Sequence, residues 1–170
     1  MAITLFISEQ YMRDNLPISR NLDTKDITPN IQAAQELYLQ DILGSVFYEY
    51  LMNVYSAQTL NANEIILVQD YIKPAVAYRT LEMALPFLSY QIKNKGAQRQ
   101  FEDFGDSADF TQLRFIINET GNRAQFYERR LVRYLNVNNT LYPQYIINND
   151  GIIPANNGNG WDNGGLIFYR

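Results

Sequence analysis

The sequence predicts a mainly α protein: a helical bundle with a short N-terminal β-type run and an extended C-terminal arm of some β character. Three observations predict it. Apolar residues recur three and four apart through most of residues 28–136, the spacing that lines one face of a helix. Ile3–Ile7, ITLFI, is a short run of strand-forming residues. After Asn136 the chain turns rich in Asn and Gly, carries Pro143 and Pro154 and has almost no charge, so it cannot continue a helix. The expected division is a helical body, 1–137, and an arm, 138–170.

Each element follows from its residues. Ser8 is placed to cap a brief helix from Glu9 to about Asp14. Leu16–Asp26 is polar, contains Pro17 and reads as a loop. Thr28 then suits an N-cap and Pro29 the first helical position, where its missing N–H costs nothing. Ile31, Ala34, Leu37, Tyr38, Ile42 and Leu43 form one apolar stripe, opposite a polar face of Gln32, Gln35, Glu36, Gln40 and Asp41. Gly44 marks a joint, and Val46, Phe47, Tyr50, Leu51 and Val54 resume the pattern to about Tyr55.

Beyond the linker 56–63, Asn61 and Glu64 have the spacing of a capping box. Ile65, Ile66, Val68, Tyr71 and Ile72 restart a helix that Pro74 is expected to break or kink, since it removes one backbone bond and crowds the preceding turn. The pattern resumes through Leu81 and Leu88, fades at 93–95 and ends at Gly96 after basic residues. Residues 97–109 read as a loop. Its acids Glu102, Asp103, Asp106 and Asp109 lack the alternating spacing of a calcium loop. The longest helix is expected over Phe110–Asn136, with Leu113, Phe115, Ile116, Ile117, Phe126, Tyr127, Leu131, Tyr134 and Leu135 as its apolar stripe, interrupted by Gly121.

Composition excludes most chemistry. The chain has no histidine and no cysteine. Imidazole general bases, Ser-His-Asp triads, HExxH zinc sites, thiol catalysis and disulfides are therefore ruled out. No phosphate-cradling motif occurs: GNGWDNGG in the tail lacks a P-loop lysine. The expectation is a protein that is not an enzyme and needs no cofactor and no metal. A net charge of −4 argues against a broad basic nucleic-acid surface. The N-terminus reads as having no signal peptide, and no window approaches a membrane span.

What remains is interaction. The chain has 13 tyrosines, a residue suited to packing and to protein interfaces. Arg123, Arg130 and Arg133 fall near one face of the longest helix; a solvated face is the plain reading, and an acidic partner surface or a phosphate backbone the alternative. In the arm, Trp161 and the run Leu166, Ile167, Phe168 and Tyr169 have little local core to join. They are therefore read as contacts to another protein, in a mode that adds a strand to a neighbour's edge.

Two stretches carry a resemblance. ITPNIQAAQELYLQDILGSVFYEYL, Ile27–Leu51, with AQE-Y and ILG, and YIKPAVAYRTLEMALPFLSYQIKNKG, Tyr71–Gly96, with its two prolines, resemble the head–tail connector proteins of tailed phages, of the kind found in crAss-like phages. The resemblance implies a structural virion protein that forms a homo-oligomeric, twelvefold ring in the neck. Such a ring contacts the portal protein and the next ring or tail proteins, and DNA passes through it without specific binding. It implies a place in the virion after assembly in the host cytoplasm. Other readings of the same residues are a tail-completion ring or minor capsid protein, and a soluble helical regulatory protein that binds one host protein.

Overall fold

Ser8 caps α1 (Glu9–Asn15) as expected: its hydroxyl accepts the Tyr11 N–H at 3.1 Å, satisfying one of the donors that a helix start leaves open. The structure is a computed structural model that describes residues 4–18, 24–93, 96–99 and 110–145, and it is mainly helical. Thr4–Ile7 forms no strand. The expected β-type run is instead held by side chains. Phe6 N–H donates to Gln35 Oε1 at 2.7 Å, Gln35 Nε2 donates to Thr4 O at 3.2 Å, and the Tyr55 hydroxyl donates to Phe6 O at 3.1 Å. A buried amide and a phenol supply part of what a neighbouring strand would, and these three main-chain groups are satisfied without a ladder.

α2 spans Thr24–Ala34 and begins before the expected start, so Pro29 lies inside the helix and Thr28 is not its cap. Thr28 instead donates to Glu9 Oε1 at 2.6 Å, which ties α2 to α1. A π-helical turn, Gln35–Leu39, follows directly; Gln40 N–H reaches back five residues to Gln35 O. α3 (Gln40–Leu43) and α4 (Ser45–Ser56) are separated by Gly44, whose φ of 73° lies in the region that glycine adopts without penalty. The joint falls where the sequence places it.

The extra residue per turn in Gln35–Leu39 rotates the helix face. Gln35, expected on the polar side, is 1 % exposed, whereas Leu37, expected in the apolar stripe, is 63 % exposed. A second π turn, Leu67–Ile72, separates α5 (Ala62–Ile66) from α6 (Lys73–Ser89). It has a similar effect: Leu67, Val68 and Ile72 are fully buried while Ile65 and Ile66 are about half exposed. Asn61 caps α5 through a complete capping box with Glu64. Glu64 is buried, and its carboxylate also accepts the Tyr50 hydroxyl at 2.7 Å.

Pro74 does not break the helix; the π turn precedes it and α6 carries on. α6 ends at Ser89, earlier than expected. Tyr90–Lys93 (β1) then pairs antiparallel with Gly96–Arg99 (β2), Tyr90 opposite Arg99 and Lys93 opposite Gly96. The predicted helix end and the first residues of the predicted loop are therefore a hairpin, the only sheet among the described residues. The acids Glu102, Asp103, Asp106 and Asp109 lie outside the described residues.

α7 (Phe110–Val137) matches its prediction within one residue. It runs antiparallel to α6 in a regular register. Tyr71 stacks on Tyr134 at 4.0 Å, and Tyr78 stacks on Tyr127 at 5.0 Å. Seven residues forward on one helix is seven back on the other, the step of coiled-coil packing. Fully buried Leu131 and Leu135 reach the same core as Ile31, Leu43, Leu51 and Ile72. The expected arm does not leave the body at 138. Two 3-10 turns, Asn139–Leu141 and Pro143–Tyr145, fold back. Tyr142 and Tyr145, each 2 % exposed, pack their rings 5.7 and 6.0 Å from that of Phe47. The rest of the arm lies outside the described residues, and among those described no helix is long and apolar enough to cross a membrane.

Candidate interaction surface

The inner side of α7 is fixed by ions as well as by rings. Arg79 on α6 is buried, and its Nε and Nη2 donate to the two oxygens of Glu128 on α7 at 2.7 and 2.6 Å. Its Nη1 donates to Glu82, and its guanidinium lies 4.1 Å from the centre of the Tyr38 ring. Burial alone would lower the Arg79 pKa; Glu128, Glu82 and Tyr38 outweigh that and leave it raised, so the ion is held charged. The two-pronged match to Glu128 is geometry that lysine does not reproduce. The cleft beside Arg79 has an empty volume of about 190 Å³, below the ~300–1,000 Å³ of ordinary ligand pockets. Its one cation is already engaged by two carboxylates, so it is a structural clasp.

Gly121 leaves room for the Glu82 arm of the clasp. A Cβ there would lie 2.5 Å from Glu82 Oε1. The interruption seen in the apolar pattern is a close approach of carboxylate to helix.

The outer side of α7 is different. Phe115 and Phe126 are 70 % and 57 % exposed, and Val137 is 81 % exposed. Phe115 and Phe126 are eleven residues apart, as are Phe126 and Val137, close to three full turns. All three therefore share one face, opposite the buried Ala124 and Leu131. Arg129 and Arg133 stand on that face as well, both exposed. Phe115, Ile116 and Phe126, expected in the core stripe, form no part of the core. The signal was present: two stripes overlap on this helix, and the eleven-residue spacing separates the outer one.

The three predicted arginines share the helix but have different roles. Arg123 pairs with Glu119 at 3.2 Å, with both side chains about half exposed, as an ordinary solvated i,i+4 pair. Arg130 lies 4.6 Å over the Tyr71 ring and donates to Asp70 O at 3.2 Å. Asp70 O is the carbonyl four residues before Pro74, the one to which proline offers no N–H. Arg130 thus serves a backbone acceptor that proline leaves short of a donor. Arg133 has no hydrogen bond or ion pair among the described residues and is open to a partner. Trp161, Leu166, Ile167, Phe168 and Tyr169 lie outside the described residues.

Charge is segregated along the chain. From Ile27 to Ile72 there are five acids, Glu36, Asp41, Glu49, Glu64 and Asp70, and no lysine or arginine. α7 carries five arginines, Arg114, Arg123, Arg129, Arg130 and Arg133, against Glu119 and Glu128. All five are exposed, whereas Arg13, Lys73 and Arg79 are not fully so. The mean charge of the chain conceals this separation.

No curated protein and no solved structure matches the chain. The Family of unknown function (DUF6712) matches residues 39–154, more than half of the sequence, and the chain belongs to that family.

Proposed function

We propose that this family member is a structural subunit of a tailed-phage particle, forming a ring in the neck that joins portal to tail and lines the path of the DNA. The observation that carries the assembly reading is the outer face of α7. A 28-residue helix that presents Phe115, Phe126 and Val137 with exposed arginine has the composition of a protein contact, aromatic and arginine-rich. The resemblance of Ile27–Leu51 and Tyr71–Gly96 to head–tail connectors supports the place in the particle. A net charge of −4 suits a channel that passes DNA without gripping it. The ring has twelve copies, assembles in the host cytoplasm and performs no catalysis. Mass spectrometry of purified particles and averaged images of their necks test this. The protein is expected in every particle, as a closed ring beneath the portal, and particles made without it are filled heads lacking tails. Absence of the protein from purified particles overturns the proposal.

A further inference from the structure

We infer that the outer face of α7 docks on the Glu36–Leu37–Asp41 patch of a second copy of the chain, in a head-to-tail contact. The inference rests on the assembly reading above and adds the two faces that meet. On one side Phe126 is flanked by Arg129 and Arg133, one and two turns on. On the other, the rotation caused by the π turn Gln35–Leu39 puts Leu37 outside, at 63 % exposure, beside the exposed carboxylates of Glu36 and Asp41. Gln32 takes one Glu36 oxygen at 2.8 Å and holds that side chain in place. The 36–41 patch carries only acids, and on the α7 face the one acid, Glu119, is already paired with Arg123, so the two apolar centres are ringed by opposite net charge.

The two patches cannot meet within one molecule. Tyr38 and Glu128 both touch Arg79, so the inner flank of α7 is the side nearest the 36–41 turn of its own chain. The face of Phe126 and Arg133 is turned away from it, opposite Ala124 and Leu131. Two different patches on one chain make a heterologous contact, which leaves one patch of each kind free after every addition. Such a contact closes into a ring or extends as a filament, and does not stop at a two-fold dimer.

Two surface variants of the full chain test the contact, Arg129→Glu/Arg133→Glu and Glu36→Arg/Asp41→Arg, read by sedimentation equilibrium up to about 1 mM, with thermal melts to show that each is folded. The wild type is expected to associate, and to do so less as salt rises from roughly 50 to 500 mM. Either variant alone associates at least about tenfold more weakly, since like charges then face each other. An equimolar mixture of the two regains association, because each altered patch meets its complement on the other protein. A wild type that stays monomeric throughout, variants that associate like wild type, or a mixture that fails to associate would each overturn the inference. These readouts need no phage. A monomer in solution that is nevertheless present in purified particles removes this contact and leaves the proposed role; a self-associating protein absent from particles does the reverse.

Discussion

Gly121 shows how one missing atom can decide an ion pair. Alanine is better than glycine inside a helix by about 1 kcal/mol, but at 121 its Cβ would displace the Glu82 carboxylate from Arg79. The two effects oppose each other, so Gly121→Ala in the wild type is expected to change stability little. With Glu82 already truncated to alanine nothing remains to displace, and the same change should stabilise by about 1 kcal/mol. A double-mutant cycle in urea measures the difference as a coupling energy; zero coupling would mean that Glu82 does not need the space. Arg130 carries a related lesson. Its bond to Asp70 O supports the backbone next to Pro74, so its removal perturbs the fold itself and makes it a poor probe of assembly, whereas Arg133 is the cleaner one.

Among the elements, the N-terminal segment depends on Gln35. Replacing Gln35 with alanine leaves Phe6 N–H without its acceptor in a buried place and releases Thr4 O, at a cost of about 2–4 kcal/mol. Urea unfolding should show that loss, and the Phe6 amide should exchange far faster with solvent; unchanged exchange would mean the amide is not what holds the run. The π turn that brings Gln35 inward is also what the sequence did not reveal. Helical periodicity located α1, the Gly44 joint, the Asn61 cap and nearly the full length of α7, because those signals are local. It misassigned Gln35, Leu37, Ile65 and Ile66, because a wide turn changes the phase between the residues on its two sides, so one continuous stripe cannot be drawn through it, and leaves composition untouched. The early end of α6 went unseen because Tyr90–Lys93 pairs with Gly96–Arg99, a choice that no single-helix pattern reports. The candidate surface was half legible: Arg133 stood out as charge, while Phe115 and Phe126 were read as core because aromatic residues at helical spacing usually are.

For the whole molecule, the tyrosines that suggested interfaces mostly serve the interior. The Tyr142 hydroxyl donates to Asn63 O at 2.9 Å and meets that of Tyr134 at 3.1 Å. Its pKa is raised by burial first, then by Tyr134. Burial likewise raises Tyr145, Tyr55 and Tyr48. The folded state therefore holds phenol protons that the unfolded state releases above the ordinary value of 10.0. Stability from this source is complete below pH 10 and is lost as pH rises beyond it. Tyrosinate absorbance and far-ultraviolet ellipticity followed together should show the buried phenols ionising in step with loss of helix. Full ionisation with helicity retained would contradict the packing described.

The rungs that α6 and the π turn before it make with α7 have an optical consequence. Tyr71 on Tyr134 and Tyr78 on Tyr127 are nearly parallel, at 20° and 10°, so each phenol is held in a fixed asymmetric setting that near-ultraviolet ellipticity detects and that vanishes when side-chain packing loosens. The one tryptophan, Trp161, is outside these pairs and absorbs further to the red. The chain thus carries its own gauge: tyrosine ellipticity lost while far-ultraviolet signal persists means that α7 has come away from α6 with both helices still wound.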